Sequence, residues 1–78
     1  MKAYILIQTG AGRVTELVRE VSRIRGVRSA HSVTGAYDVI AQAEAPSATA
    51  LGEEILADIR SVFGVTKALT CVVGDGAA

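Results

Sequence analysis

Two stretches of this chain follow one plan. RIRGVRSAHSV, from Arg23, and SVFGVTKALTCVV, from Ser61, each leave a helical pattern through Gly-Val and enter a β-prone run. Their glycines, Gly26 and Gly64, stand about half a chain apart in 78 residues. A chain this short that repeats a strand–helix–strand unit has few ways to fold. Each unit has one helix stripe and one sheet face to bury, and two units together close a single core. The repeat predicts the order β-α-β-β-α-β and an α+β, ferredoxin-like sandwich: a four-stranded antiparallel sheet with both helices on one face.

Local patterns place the elements. AYILIQT, from Ala3, is almost continuously apolar, as in a central strand buried on both faces. Val14, Leu17, Val18, Val21 and Ile24 form one helical stripe, and Arg13, Glu16, Arg19, Glu20 and Arg23 fill the rest of the surface. The spacings Glu16/Arg19 and Glu20/Arg23 suit a solvated, charged face. Gly26 reads as the C-cap, where positive φ carries no steric cost for glycine. Val27 to Thr34 and Tyr37 to Ala43 read as a hairpin around Gly35-Ala36. Pro46 fits a first helical turn with Ser47 as its cap. Leu51, Ile55, Ile59 and Val62 then give a second stripe, closed by Gly64, and Val65 to Val73 is the last strand. Gly52 lies inside this helix at a cost of about 1 kcal/mol relative to alanine, which close packing would explain. Residues 1–74 are expected to form one domain and 75–78 a disordered tail.

Half of the residues are hydrophobic, and the mean hydropathy of +0.38 is high for a domain with so small a core. Cys71 is the only cysteine, so an internal disulfide is impossible; with one histidine, His31, it cannot complete a tetrahedral metal site. No metal or cofactor is expected, and self-association is the remaining source of stability. The topology says where. Tyr4, Leu6 and Gln8 alternate with Ile5 and Ile7, while Leu69, Cys71 and Val73 alternate with Ala68, Thr70 and Val72, so neither sheet face is clearly polar. Helices cover one face; the open one predicts a homodimer formed sheet to sheet. A net charge of zero and 4% aromatics argue against direct nucleic-acid binding. No apolar run approaches the roughly 18 residues of a membrane helix, and the start lacks a signal-peptide pattern. The expected location is the cytoplasm.

Most chemistry-bearing residues have ordinary readings. GAGRVTEL, from Gly10, follows a strand and opens a helix as a dinucleotide fingerprint does, but Thr15 stands where the third glycine belongs. His31 has no sequence-near partner that would make it a general base. Cys71 has no adjacent base or cationic cluster to activate it as a nucleophile. TGAYD, Thr34 to Asp38, is different. Gly35 lets the chain turn while exposing backbone N–H groups. Asp38 offers an acceptor for an ammonium group, and Tyr37 an apolar wall with a hydroxyl. Together they could hold a zwitterion; an ordinary hairpin with a soluble Asp and a packing Tyr is the competing reading.

RGVRSAHSVTGAYDVIAQAEA, FGVTKALTCVV and TGAYD itself, which fits a Thr-Gly-x-Tyr/Phe-Asp pattern, make the chain resemble a known family. It resembles the effector-binding, or RAM, domain of the Lrp/AsnC feast/famine transcription regulators, over roughly residues 2 to 74. Because the first strand starts at Met1, the chain looks like the members that lack a DNA-binding helix-turn-helix domain. The resemblance implies a non-enzymatic, amino-acid-sensing domain that dimerises through its sheet, joins into rings of dimers, often octamers, and co-assembles with full-length regulators. It implies a ligand cleft between neighbouring dimers, with Ser32, Thr34, Gly35, Tyr37, Asp38, Thr70 and Cys71 as contributors. In this assignment Asp38 pairs with the ligand ammonium, the amides around Gly35 receive its carboxylate, Thr34 and Thr70 offer hydroxyls, and Tyr37 shapes the pocket. An ACT-like amino-acid module, with its site at Gly10 and Gly12, shares the element order. A small dimeric αβ-barrel enzyme would need a convergent polar set on the open face, where Tyr4, Gln8 and His31 are the loose candidates. An acylphosphatase-like site would rest on Arg13 alone.

Overall fold

The computed structural model describes residues 1–10 and 12–74; the tail expected over 75–78 lies outside the described residues. Strand β1 (Lys2–Thr9) is followed by helix α1 (Val14–Ser22), strands β2 (Val27–Ser32) and β3 (Val39–Glu44), helix α2 (residues 48–60) and strand β4 (Val65–Val72). The strands form one sheet in the order β2-β3-β1-β4, and every neighbouring pair is antiparallel. This is the α+β sandwich that the repeat predicts. The first and last strands lie side by side, and beyond their ladder Val73 N–H donates to Lys2 O at 2.9 Å.

The core lies between the helices and one sheet face. Ala3, Ile5 and Ile7 of β1, Val39, Ala41 and Ala43 of β3, and Ala68 of β4 are buried against Leu17 and Val21 of α1 and Leu51, Ile55 and Ile59 of α2. Alanines on the sheet leave room for the larger helix side chains. Contrary to the expectation from its apolar run, β1 is buried on one side only. Tyr4 is exposed, and Leu6 and Gln8 are half-buried on the uncovered face. Helices segregated to one face leave the other without a partner inside the protomer.

The second stripe is spaced by four residues, which in a regular 3.6-residue helix would drift around the axis. Helix α2 corrects the drift. After Ala48–Ala50, Leu51–Ile55 form a wide π turn in which Leu56 N–H reaches back to Leu51 O, and Leu56–Arg60 resume the α-helix. The extra residue in that turn keeps Leu51, Ile55 and Ile59 on the buried side. Ser47 caps the helix, its Oγ accepting from Ala50 N–H at 3.1 Å. Gly52 does not serve packing: it is exposed, and an added Cβ would meet nothing within 4 Å. Gly52→Ala is therefore expected to stabilise the fold by about 0.5–1 kcal/mol. For a domain of this size that is a rise of about 2–8 °C in Tm, read by a circular-dichroism melt.

Gly26 and Gly64 occupy the same kind of turn, a few residues beyond each helix and not at the cap. Val27 N–H donates to Ile24 O at 3.0 Å and Val65 N–H to Val62 O at 3.2 Å. Both glycines have φ of 97°. Positive φ at the third residue of such a turn is the type II arrangement, which selects glycine. Among the described residues the ion pair is Arg28–Glu44, at 3.7 Å between the edge strand and β3. The i, i+3 charges on α1 remain apart, as expected of a solvated face.

Candidate functional site

The β2–β3 connection runs from residue 33 to 38, longer than the two-residue turn expected at Gly35-Ala36. Ser32 pairs with Val39 as the last rung, and Val33 N–H donates to Asp38 O at 2.9 Å. Tyr37 and Asp38 thus belong to the loop and not to the start of β3. The reason is that β1 holds this segment. Asp38 N–H donates to Ile7 O at 2.9 Å, and Asp38 Oδ2 accepts from Thr9 N–H at 2.9 Å. Gln8 Nε2 donates to Ala36 O at 2.7 Å. The tethers come from the last three residues of β1, where the register against β4 shifts between Gln8 and Thr9.

Other groups of the loop are unengaged. Among the described residues, the N–H groups of residues 34–37 and Asp38 Oδ1 make no hydrogen bond. Gly35 has φ of 139° and open space where a Cβ would stand. Tyr37 is half-buried, with Lys67 Nζ 6.0 Å from its ring centroid. An anionic acceptor, several backbone donors, an aromatic wall and a cation therefore share one end of the sheet. That set matches the functional groups of a small zwitterion.

Sequence reading missed Lys67 and placed Gln8 only among the loose candidates of the open face. Their proximity comes from strand pairing across β1, where Gln8 lies opposite Lys67; no local spacing announces it, and only the β1–β4 register could have. The terminal-strand candidates sit elsewhere in the protomer. Thr70 pairs with Ile5 and faces the helices, its Oγ1 buried without a partner. Cys71 pairs with Tyr4 and is exposed. Three residues along the strand separate Ile5 from Gln8, about 10 Å, so the protomer brings together Thr34, Gly35, Tyr37 and Asp38 but not Thr70 or Cys71. Ser32 is exposed at the end of β2, next to the loop.

The remaining candidates have structural surroundings. Arg13 donates from Nη1 to Phe63 O at 3.2 Å and lies 4.8 Å from the Phe63 ring centroid. It staples two loops together and does not point to a phosphate cradle. His31 lines an open-face concavity of about 370 Å³ with Tyr4, Ser29, Val33, Ile40 and Gln42. A row of hydrogen bonds crosses that face: Ser29 Oγ donates to Gln42 Oε1 at 3.2 Å, and Gln42 Nε2 to Tyr4 OH at 3.1 Å. Among the described residues no group of three or more potential ligands could hold a metal, and no helix is long and apolar enough to cross a membrane.

Comparison with known proteins gives this geometry a context. A family model described as the Lrp/AsnC ligand binding domain matches residues 2–75. The crystal structure of a Thermus thermophilus protein superposes with a TM-score of 0.87 at 26% identity, over 99% of this chain and 96% of that one. A transcriptional regulator of Neisseria meningitidis, solved as its complex with L-Met, gives a TM-score of 0.79 at 24% identity, over 99% of this chain and 52% of the regulator; at that identity the likeness concerns the fold. The homocitrate synthase of Sulfolobus acidocaldarius is 36% identical over 59 residues, which are 76% of this chain and 12% of the synthase. The chain therefore spans a small part of that relative's length. With a family match that runs from the first strand past the last, and a sheet and helices in the order such a domain requires, this chain belongs to the Lrp/AsnC ligand-binding domain family.

Proposed function

We propose that this domain is a self-assembling sensor of a small effector, an amino acid, that works in the cytoplasm. It alters transcription through its own oligomerisation or through co-assembly with full-length Lrp/AsnC regulators. The observation that carries this reading is the 33–38 loop, tied to β1 at three points yet keeping free donors and a free carboxylate oxygen. A site so pre-organised loses little entropy when a ligand arrives. Asp38 Oδ1 takes the ammonium, the amides around Gly35 take the carboxylate, Thr34 adds a hydroxyl and Tyr37 a wall. Ser32 sits at the margin, and exposed Cys71 reaches the ligand from a neighbouring copy, whereas the Thr70 hydroxyl is buried against its own helices. This makes the domain a binding module and not an enzyme.

Assembly starts at the open face, where Tyr4, Leu69 and Val73 are exposed large side chains beside half-buried Leu6 and Ile40. A second copy packed sheet to sheet covers them, and dimers then join into a higher oligomer. Leu69→Glu places a charge in the middle of that contact, where desolvation without a partner is costly. Light scattering is expected to show the dimer mass or a multiple of it for the native chain and the monomer mass for the variant at micromolar concentration; a monomeric native chain would refute the dimer.

A thermal-shift screen over the twenty amino acids, paired with light scattering, tests the sensor. A stabilising amino acid that also changes the assembly size supports it, and silence across the panel counts against it. The match to a segment of homocitrate synthase favours a second reading, a regulatory module serving an enzyme. Amide hydrogen exchange separates the two readings: protection on ligand binding falls on residues 33–38 in the sensor, and around Gly10 and Gly12 in an ACT-like module serving an enzyme.

A further inference from the structure

The zwitterion reading leaves the ligand's carboxylate to neutral backbone donors, although an unpaired cation stands at the same end of the sheet. Lys67 Nζ lies 6.0 Å from the Tyr37 ring centroid, and its residue pairs with Gln8, whose side chain holds the loop carbonyl of Ala36. No carboxylate comes within 4.0 Å of Lys67 among the described residues. The nearest acid of the loop, Asp38, has one oxygen committed to Thr9 N–H. Lys67 also lines a cleft of about 480 Å³ with Arg60, Val65, Thr66 and Ala68. That lining holds two cations and no acid, and its size is within the roughly 300–1,000 Å³ range of small-molecule sites.

We infer that Lys67 joins the loop amides as the charged partner of the effector's carboxylate, and that Arg60, which shares a cleft with Lys67, selects amino acids with an acidic side chain. The inference rests on the amino-acid-sensing function proposed above. The charge pattern is complementary, term by term. Asp38 faces an ammonium, Lys67 an α-carboxylate and Arg60 a side-chain carboxylate. A neutral amino acid leaves Arg60 unanswered, and an amine without a carboxylate leaves both cations unanswered. A free ammonium on a flexible stem gives charge-assisted hydrogen bonds without the fixed fork of arginine, so the site recognises charge more than planar geometry.

The test is isothermal titration of the native chain, Lys67→Met, Lys67→Arg and Arg60→Gln with glutamate, aspartate, glutamine, asparagine and γ-aminobutyrate. Melting curves and light scattering accompany each variant. The native chain is expected to bind glutamate or aspartate at least about tenfold more tightly than the matching amide. Lys67→Met should weaken every α-amino acid about tenfold or more, the scale of a lost charge-assisted hydrogen bond. Lys67→Arg should recover most of the affinity. Arg60→Gln should remove the preference for the acid over its amide while neutral amino acids bind as before. Amino-acid binding that is indifferent to both substitutions, with no preference for acids, leaves the sensor intact and overturns this inference. A Lys67→Met variant that changes assembly size but not affinity marks the residue as a charge guarding the sheet edge and also overturns it. Absence of binding by any amino acid overturns the sensor reading and this inference together.

Discussion

Gly26→Ala is expected to lower stability by about 2–5 kcal/mol, from a left-handed backbone term of ~1–2 and overpacking of ~1–3. The glycine sits at φ 97°. A Cβ there would stand 2.5 Å from Ile55 Cδ1, 3.1 Å from Ile55 Cγ1 and 3.2 Å from Glu44 O. Ile55 is a core residue of α2, and Glu44 belongs to β3, its own N–H donating to Gly26 O at 2.8 Å. Ile55 Cδ1 is a side-chain tip that can turn away, but Ile55 Cγ1 and the Glu44 carbonyl, at 3.1 and 3.2 Å, must also give way. A domain has only about 5–15 kcal/mol to lose, so urea unfolding should show a large fall in midpoint at an unchanged slope. Gly64→Ala provides the control. It has the same φ, but the closest atom to its Cβ is Thr9 Oγ1 at 3.3 Å. It should cost mainly the backbone term, and equal losses at both sites would refute the steric account.

Asp38 is expected to separate two roles under two substitutions. Asp38→Ala removes the acceptor of Thr9 N–H and one of the tethers of the loop. The loss is about 1–3 kcal/mol, and ligand binding falls with it because the loop is freed. Asp38→Asn keeps a carbonyl oxygen that can accept from Thr9 N–H but has no charge to offer an ammonium. Its stability should lie within about 1 kcal/mol of the native chain, while amino-acid affinity drops about tenfold or more. Thermal melts and titration calorimetry on the same samples read both effects. If Asp38→Asn binds as tightly as the native chain, the ammonium role is wrong and the residue only holds the loop in place.

The same residue shows where sequence reading succeeds and where it stops. The repeated Gly-Val pairs carry the topology, because a positive-φ turn after each helix is a local requirement that only glycine meets cheaply. The buried stripe of α1 is legible for the same reason, since its periodicity is local. The length of the β2–β3 connection is not. Tyr37 and Asp38 look like strand residues until β1 is placed beside them, and it is Ile7, Gln8 and Thr9 that hold them in a loop. Lys67 is invisible on its own, since its relation to Tyr37 passes through a third strand. Gly52 reads as a packing residue, yet it lies exposed in a π turn, whose presence depends on the tertiary burial of Leu51, Ile55 and Ile59. Local chemistry was readable; neighbours brought by pairing were not.

The pairing of β1 with β4 has a further consequence. It places residue 73, just past β4, beside residue 2 of β1, joined by a hydrogen bond, so the backbone enters and leaves the domain at nearly one point. A unit of that shape can be plugged between two segments of a host protein without prying them apart. It can also be strung in tandem on short linkers. A permutant that joins residue 73 to residue 2 and opens at exposed Pro46, between β3 and α2, would leave the 33–38 loop and its tethers intact.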